Sequence, residues 1–131
     1  MKTKKGMVFG VFDGLHEGHK NFLQQARALC DELIVVVAQE DAVRALKGHD
    51  PRQGLAERMR AIQDFDQKLT VVPGDNETGM WHILDEHDPG RVFLGYDQQG
   101  IGDELKKLGI PFTYLGAHEP ERYKSSLNRF S

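Results

Sequence analysis

The chain has 131 residues, the size of one ordinary domain, and its 39% hydrophobic and 28% charged residues are typical of a globular protein, which excludes a disordered or fibrous chain. The formal net charge of −3 argues against nucleic-acid binding, because such binders usually carry a surplus of Lys and Arg. No apolar run approaches the roughly 20 residues of a membrane span, and residues 1–5 lead into a strand rather than a signal peptide, so we expect a cytoplasmic protein without membrane contact.

Five short apolar, β-branched runs, each bounded by Gly, Pro or Asp, predict strands. They lie at residues 7–9, 33–38, 69–72, 91–94 and 112–115. The run at 33–38 is apolar throughout without alternation, which indicates a strand covered on both faces of a parallel sheet.

Helical spacing falls between these runs. One apolar stripe contains the only cysteine, so we interpret that cysteine as buried filler; the stripe comprises Phe22, Leu23, Ala26, Leu29 and Cys30. Leu55, Met59 and Ile62 repeat the pattern, and weaker helical segments cover residues 41–46, 78–86 and about 100–108. Alternating strands and helices predict one α/β domain over residues 1–131, a Rossmann-like, doubly wound, five-stranded parallel sheet with its ligand site beyond the carboxyl ends of the strands.

Residues 10–19, which follow the first strand, carry the strongest functional signal. Three glycines allow close approach of the backbone to a ligand, and the N-terminus of the helix that begins here favours an anion such as a nucleotide triphosphate. His16 and His19 are three residues apart, so they point to one side of the first turn and can reach neighbouring phosphate oxygens.

Two other interpretations of this pair stay open. A histidine at a helix start can be a cap or a solvated residue, and a pair with this spacing can bind a metal together with Glu17. The metal interpretation is disfavoured because Glu17 points elsewhere on the helix and the sequence is not H-E-x-x-H.

Residues 10–19 resemble the G-x-F-D-x-x-H-x-G-H signature of the cytidylyltransferase-like nucleotidyltransferases, a family of single-domain Rossmann-like enzymes. The resemblance implies a phosphate contact from Lys47, which otherwise would be a solvated side chain. It also places Arg58, within a segment similar to the family's E-R helix, among the nucleotide-binding residues as a support of the active site. From the signature itself it implies nucleotide contacts by Val11, Phe12, Asp13, His16 and His19.

Two later segments extend the resemblance. Residues 94–98 look like the family's L-G-x-D loop, so Gly95 and Asp97 are expected to hold the base and ribose. Residues 123–129 resemble its I-S-S/T-x-x-R motif, which implies that Ser125 and Ser126 bind the β and γ phosphates; at minimum they are good helix caps.

The subgroups that the chain most resembles are the glycerol-3-phosphate cytidylyltransferases and the archaeal-type FMN adenylyltransferases, which make FAD. Residues 94–98 and 124–126 favour the second. The resemblance implies a homodimeric enzyme in which a phosphorylated acceptor attacks the α-phosphorus of ATP or CTP, with His16, His19 and Lys47 stabilising the transition state. Mg²⁺ would bridge the phosphates with few protein ligands, and Asp13 is either its outer-sphere partner or a turn cap.

Two other function classes are compatible with the sequence. One is a non-catalytic nucleotide-binding domain on the same fold, which retention of both histidines disfavours because binding alone would not require them. The other is a metal-dependent hydrolase that uses His16, Glu17 and His19.

Overall fold

A computed structural model describes residues 3–75, 81–95 and 98–115. Within these residues the chain forms a five-stranded sheet with the order β3-β2-β1-β4-β5, and every neighbouring pair is parallel. The strands are β1 (Thr3–Gly10), β2 (Cys30–Val37), β3 (Thr70–Pro73), β4 (Arg91–Gly95) and β5 (Phe112–Leu115). The helices are α1 (Glu17–Ala28), α2 (Glu40–Lys47), α3 (Leu55–Phe65), α4 (His82–His87) and α5 (Gln99–Leu108). This architecture confirms the predicted fold class.

Each face of the sheet has its own apolar core. Leu23 of α1 and Ile62 of α3 are buried in one cluster, whereas Leu84 of α4 and Leu105 of α5 are buried in the other. The five residues 33–37 of β2 are at most 3% exposed and are divided between the two clusters. The prediction that this strand is covered on both faces is therefore confirmed.

The end of the first helix differs from the prediction. α1 stops at Ala28, so Leu29 is 43% exposed and Cys30 is the first residue of β2 rather than part of the helical stripe. The backbone N–H of Thr3 donates to the carbonyl of Leu29, which starts the pairing of β1 with β2. Cys30 is completely buried, which confirms its predicted role as a core residue. Its predicted place in a helix was wrong, because it lies in β2.

The predicted helix at 78–86 begins outside the described residues, and its described part is α4. Among the helices in the described part of the chain, none has the length and apolar character needed to cross a bilayer.

A crevice opens between β1 and β4 at the carboxyl edge of the sheet. The ladder between β1 and β2 extends to Gly10 and Val37, but the ladder between β1 and β4 consists of Gly6 with Arg91 and Met7 with Val92. The two strands thus separate toward their carboxyl ends. The strand order also reverses between them, and ligands bind at such a switch point in open α/β sheets.

Candidate active site

The loop after β1 is held in an unusual backbone conformation. Phe12 has a φ of 54°, a left-handed value that a bulky residue rarely adopts and that costs on the order of 1 kcal/mol. Its ring is buried and lies so close to Gly10 that a Cβ added at Gly10 would be 2.6 Å from Phe12 Cε2. The Phe12 ring therefore occupies the space that a side chain at residue 10 would need, so only glycine fits there without a shift. This packing lets the loop turn back over the end of β1.

His16 and His19 lie side by side at the start of α1. His16 is the N-cap residue, and its Nδ1 accepts hydrogen bonds from the backbone N–H groups of Gly18 (3.0 Å) and His19 (3.4 Å). His19 Nδ1 accepts in return from the backbone N–H of His16 at 3.2 Å, so the two residues form a reciprocal capping box. The rings stack with 3.7 Å between centroids and 17° between planes, and the Phe12 ring packs edge-on against His19 at 5.4 Å.

These hydrogen bonds determine which ring nitrogen carries the hydrogen. Since Nδ1 of each ring accepts a backbone N–H, a neutral ring must carry its hydrogen on Nε2. Burial lowers the pKa of His16 below its usual value, although the negative charge of Glu17 acts in the opposite direction. In this tautomer each ring carries an Nε2–H, a donor that suits a phosphate oxygen; His19 and its Nε2 atom are buried.

Asp13 connects this loop to the loop between α2 and α3. Its two carboxylate oxygens accept the backbone N–H groups of Arg52 (2.8 Å) and Gln53 (2.9 Å), and Gln53 Oε1 accepts the N–H of Gly14. Burial raises the pKa of Asp13, but these two hydrogen bonds and the charges of Arg52 and Arg58 outweigh it, so the pKa is lower than usual. The ionised carboxylate thus fixes one loop against the other.

Arg58 holds the segments that follow β1 and β2 by hydrogen bonds to their backbone. It is completely buried, and its guanidinium donates to the carbonyls of Val11 (3.0 Å) and Ala38 (2.7 Å), which follow β1 and β2. It also donates to the carbonyl of Gln53 and forms an ion pair with Glu40 at 2.9 Å. Because its donors are used in this way and no part of it is exposed, we assign Arg58 to positioning of the loops rather than to contact with a nucleotide.

Gln98 bridges the crevice between β1 and β4. Its Oε1 accepts the backbone N–H of Gly95 at 2.9 Å, and its Nε2 donates to the carbonyl of Phe9 at 2.9 Å. Gly95, predicted to hold the base and ribose, is therefore fixed at the mouth of the crevice. Asp97, its predicted partner, lies outside the described residues, as do Ser125 and Ser126.

Lys47 is placed differently from the prediction. It is the last residue of α2 rather than part of a loop, and Gly48 follows it in the left-handed conformation that ends the helix. The Lys47 side chain is half-buried. Its phosphate contact stays a prediction.

The predicted metal alternative lacks a converging ligand set. The Glu17 side chain is 69% exposed, and its Oε1 atom lies 3.7 Å from Lys20 Nζ. Among the residues that the structure describes, no three or more His, Cys, Asp and Glu side chains are grouped so as to hold a metal ion.

Several residues that shape the site had no assigned role in the sequence interpretation. Gln39 donates from Nε2 to the carbonyl of Gly74 at 2.7 Å and so connects the ends of β2 and β3. Glu40, Gln53 and Gln98 connect segments in a similar way. Gln98 offered a partial signal because it ends the segment 94–98, whereas the others have distant partners that only the fold brings near.

Comparisons with known proteins agree with this geometry. A family model described as cytidylyltransferase-like matches residues 7–110. A protein of Thermococcus sibiricus named FAD synthase is 35% identical to the chain over 99% of the chain and 90% of the relative. Another FAD synthase, from Thermococcus kodakarensis, is 38% identical over 95% of the chain and 85% of the relative.

Solved structures share the fold. A protein of Thermoplasma volcanium described as a lipopolysaccharide core biosynthesis protein aligns with a TM-score of 0.77 and 29% identity, over 89% of the chain and 99% of that structure. A protein of unknown function from Archaeoglobus fulgidus aligns with a TM-score of 0.68 over 86% of the chain and 89% of its own, but at 20% identity it supports the fold alone.

Proposed function

This chain belongs to the cytidylyltransferase-like family of nucleotidyltransferases, and we propose that it is an FMN adenylyltransferase, which forms FAD from ATP and FMN. The relatives named FAD synthase support this choice because their similarity extends over nearly the whole chain. The single observation that carries the proposal is the stacked pair His16 and His19 at the start of α1, in which Nδ1 of each ring accepts a backbone N–H, so that a neutral ring carries its hydrogen on Nε2.

The proposed reaction is one in-line displacement at phosphorus. A phosphate oxygen of FMN attacks the α-phosphorus of ATP, a new P–O bond forms, and the bond from the α-phosphorus to the bridging oxygen of pyrophosphate breaks. The electron pair of the broken bond leaves with pyrophosphate. Because FMN attacks the α-phosphorus directly, the AMP part of ATP passes to FMN without a covalent enzyme intermediate.

His16 and His19 would act by hydrogen bonding rather than by proton transfer. Negative charge grows on the phosphoryl and leaving oxygens as the bond to pyrophosphate breaks, and fixed donors aimed at those oxygens lower the barrier. The rings are already stacked and capped, so they need little reorganisation during the reaction. We propose that Lys47 adds positive charge near the same phosphates.

The other predicted contacts complete the proposed nucleotide site. Val11, Phe12 and Asp13 form the loop over which the phosphates would lie, with Gly95 and Asp97 on the base and ribose and Ser125 and Ser126 on the β and γ phosphates. Arg58 would act through the backbone of Val11. A homodimer stays a prediction of the family resemblance.

Mg²⁺ would enter with the nucleotide. Such an ion binds largely through phosphate oxygens and water and needs few protein ligands. This fits the site, because both carboxylate oxygens of Asp13 already accept backbone N–H groups. When bound, the ion would neutralise part of the phosphate charge.

The proposal is tested by product analysis of four reactions. The chain is incubated with Mg²⁺ and either ATP or CTP, and with either FMN or glycerol 3-phosphate, and pyrophosphate and FAD are quantified. We expect equal amounts of FAD and pyrophosphate from ATP with FMN, and no pyrophosphate when riboflavin, which lacks the attacking phosphate, replaces FMN. Pyrophosphate from CTP with glycerol 3-phosphate, or from none of the four pairs, contradicts the proposal.

A further inference from the structure

Arg52 is an exposed cation that the fold places beside the loop after β1. The segment between α2 and α3 is fixed to that loop by the backbone hydrogen bonds from Arg52 and Gln53 to Asp13. Within this arrangement the Arg52 Nη2 atom lies over Gly14, 3.9 Å from the position that a Cβ would occupy there. Gly14 is two residues before His16, so the guanidinium lies next to the proposed phosphate site.

The guanidinium of Arg52 is available for a ligand. Among the described residues, its N–H groups make no hydrogen bond and no ion pair, and the contact with Asp13 uses the backbone N–H instead. Asp50, the nearest acidic residue along the loop, is paired with Arg44. The backbone of Arg52 is therefore fixed to Asp13. Its guanidinium, whose charge helps to lower the pKa of Asp13, makes no hydrogen bond or ion pair in the described part of the chain.

A cation at this place would assist the proposed reaction, in addition to Lys47 and Mg²⁺. FMN brings a phosphate dianion toward the α-phosphate of ATP, so two negative groups must come into contact. In the proposed mechanism His16 and His19 would act as neutral hydrogen-bond donors, and a neutral donor does not cancel that charge. An arginine suits the task because its planar guanidinium donates two parallel hydrogen bonds to a phosphate and stays charged at all relevant pH values.

We propose that Arg52 binds the phosphate group of the acceptor and guides it toward the α-phosphorus. This inference rests on the proposed function, since it takes FMN as the acceptor. Arg52 would then set the preference for a phosphorylated acceptor over the same flavin without phosphate. The sequence interpretation assigned Arg52 no role.

The test compares Arg52→Gln, Arg52→Lys and the matched control Arg60→Gln, an exposed arginine on α3. Each substitution at Arg52 keeps the backbone N–H that Asp13 accepts, so the loop should stay in place. For each protein the KM values of FMN and ATP are measured, together with the inhibition constant of riboflavin against FMN.

We expect Arg52→Gln to raise the KM of FMN by about 10- to 100-fold, the usual effect of losing a charged hydrogen bond. The KM of ATP and the inhibition constant of riboflavin should change less than about threefold, Arg52→Lys should recover part of the loss, and Arg60→Gln should match the wild type.

Two results overturn the inference: a KM of FMN in Arg52→Gln within about threefold of wild type, or KM values of ATP and FMN that rise equally. A wild-type protein that forms no FAD contradicts the proposed function instead, so the two failures are distinguishable.

Discussion

The rings of His16 and His19 stack at 3.7 Å, and Nδ1 of each accepts a backbone N–H from within the same turn of α1. The two nitrogens of each ring thus have separate tasks. Nδ1 stabilises the helix start, and Nε2 carries the hydrogen of the neutral ring, which in the proposed mechanism a phosphate oxygen accepts. Stability and catalysis can therefore be separated by substitution.

Replacement of His16 by Asn should abolish most of the activity and leave the fold intact. The Asn side-chain oxygen takes the place of Nδ1 and is a good N-cap, but nothing replaces the Nε2–H donor. We expect kcat to fall about 100- to 1,000-fold, the usual cost of losing one transition-state donor, with little change in the midpoint of thermal unfolding. Glu17→Gln, at an exposed position in the same turn, is the control and should retain full activity. A His16→Asn enzyme within about tenfold of wild-type kcat would remove the assigned role.

The activity should decrease at acid pH with a midpoint below 6.5, the usual pKa of a histidine. Burial lowers the pKa of His16, and protonation would place a hydrogen on Nδ1, which could then no longer accept from Gly18 and His19. The measurement is kcat/KM as a function of pH, which reports ionisations of the free enzyme. A midpoint above 6.5 would contradict the assignment.

The same pKa shift should affect stability. Because the folded-state pKa of His16 is depressed, the unfolded chain binds a proton first as the pH falls below 6.5, and the folded state loses stability there. Well above pH 6.5 the histidine is neutral in both states and the effect vanishes. The difference in unfolding free energy between wild type and His16→Asn, measured from pH 8 to pH 5, isolates this contribution.

Arg58→Met should destabilise the fold by about 3 kcal/mol or more. The substitution leaves the carbonyls of Val11 and Ala38 without their buried donor and removes the ion pair with Glu40. Urea unfolding followed by the fluorescence of Trp81, the only tryptophan, measures the change. Glu40→Gln should cost less, since the amide oxygen can still accept from Arg58. A loss below about 1 kcal/mol for Arg58→Met would show that these hydrogen bonds contribute little.

Gly10→Ala should impair catalysis through Phe12. The added Cβ would lie 2.6 Å from the Phe12 ring, which must move, and that ring packs against His19. We expect both a lower unfolding free energy, by about 1–3 kcal/mol, and a lower kcat. Gly100→Ala is the stability control: it lies in α5 with no atom within 4 Å of its added Cβ, so it should leave stability unchanged or raise it. Equal behaviour of the two variants would contradict the close packing at Gly10.

The sequence predicted the sheet because its strands are short, apolar and bounded by turn residues. The run at 33–38 differs from the observed β2 mainly at its start, and 112–115 matches β5. The helix predicted from the apolar stripe at 22–30 was too long at its C-terminal end. The residues that follow a helix can face the same core and so continue its apolar spacing. Leu29 and Cys30 fit that spacing, although the helix had already stopped at Ala28.

For the site, sequence reasoning singled out residues within motifs, Asp13 and Arg58 among them, but missed the partners that these residues have in other segments. His16 and His19 are three residues apart, and the capping box at the start of α1 brings their rings together. The connections from Asp13 to residues 52–53, from Gln98 to Phe9 and from Arg58 to Val11 span 39 to 89 residues. No local pattern encodes such partners, because their proximity depends on the order of the strands.

The most direct test of the central claim is the protonation state of the two imidazoles, measured by long-range ¹H–¹⁵N NMR correlation at neutral pH. We predict the Nε2–H tautomer for both His16 and His19, and a shift of both Nε2 signals when Mg²⁺ and the non-reactive α,β-methylene analogue of ATP are added. An Nδ1–H tautomer for either ring, or Nε2 signals that do not respond to the nucleotide analogue, would contradict the role of the pair in binding phosphate.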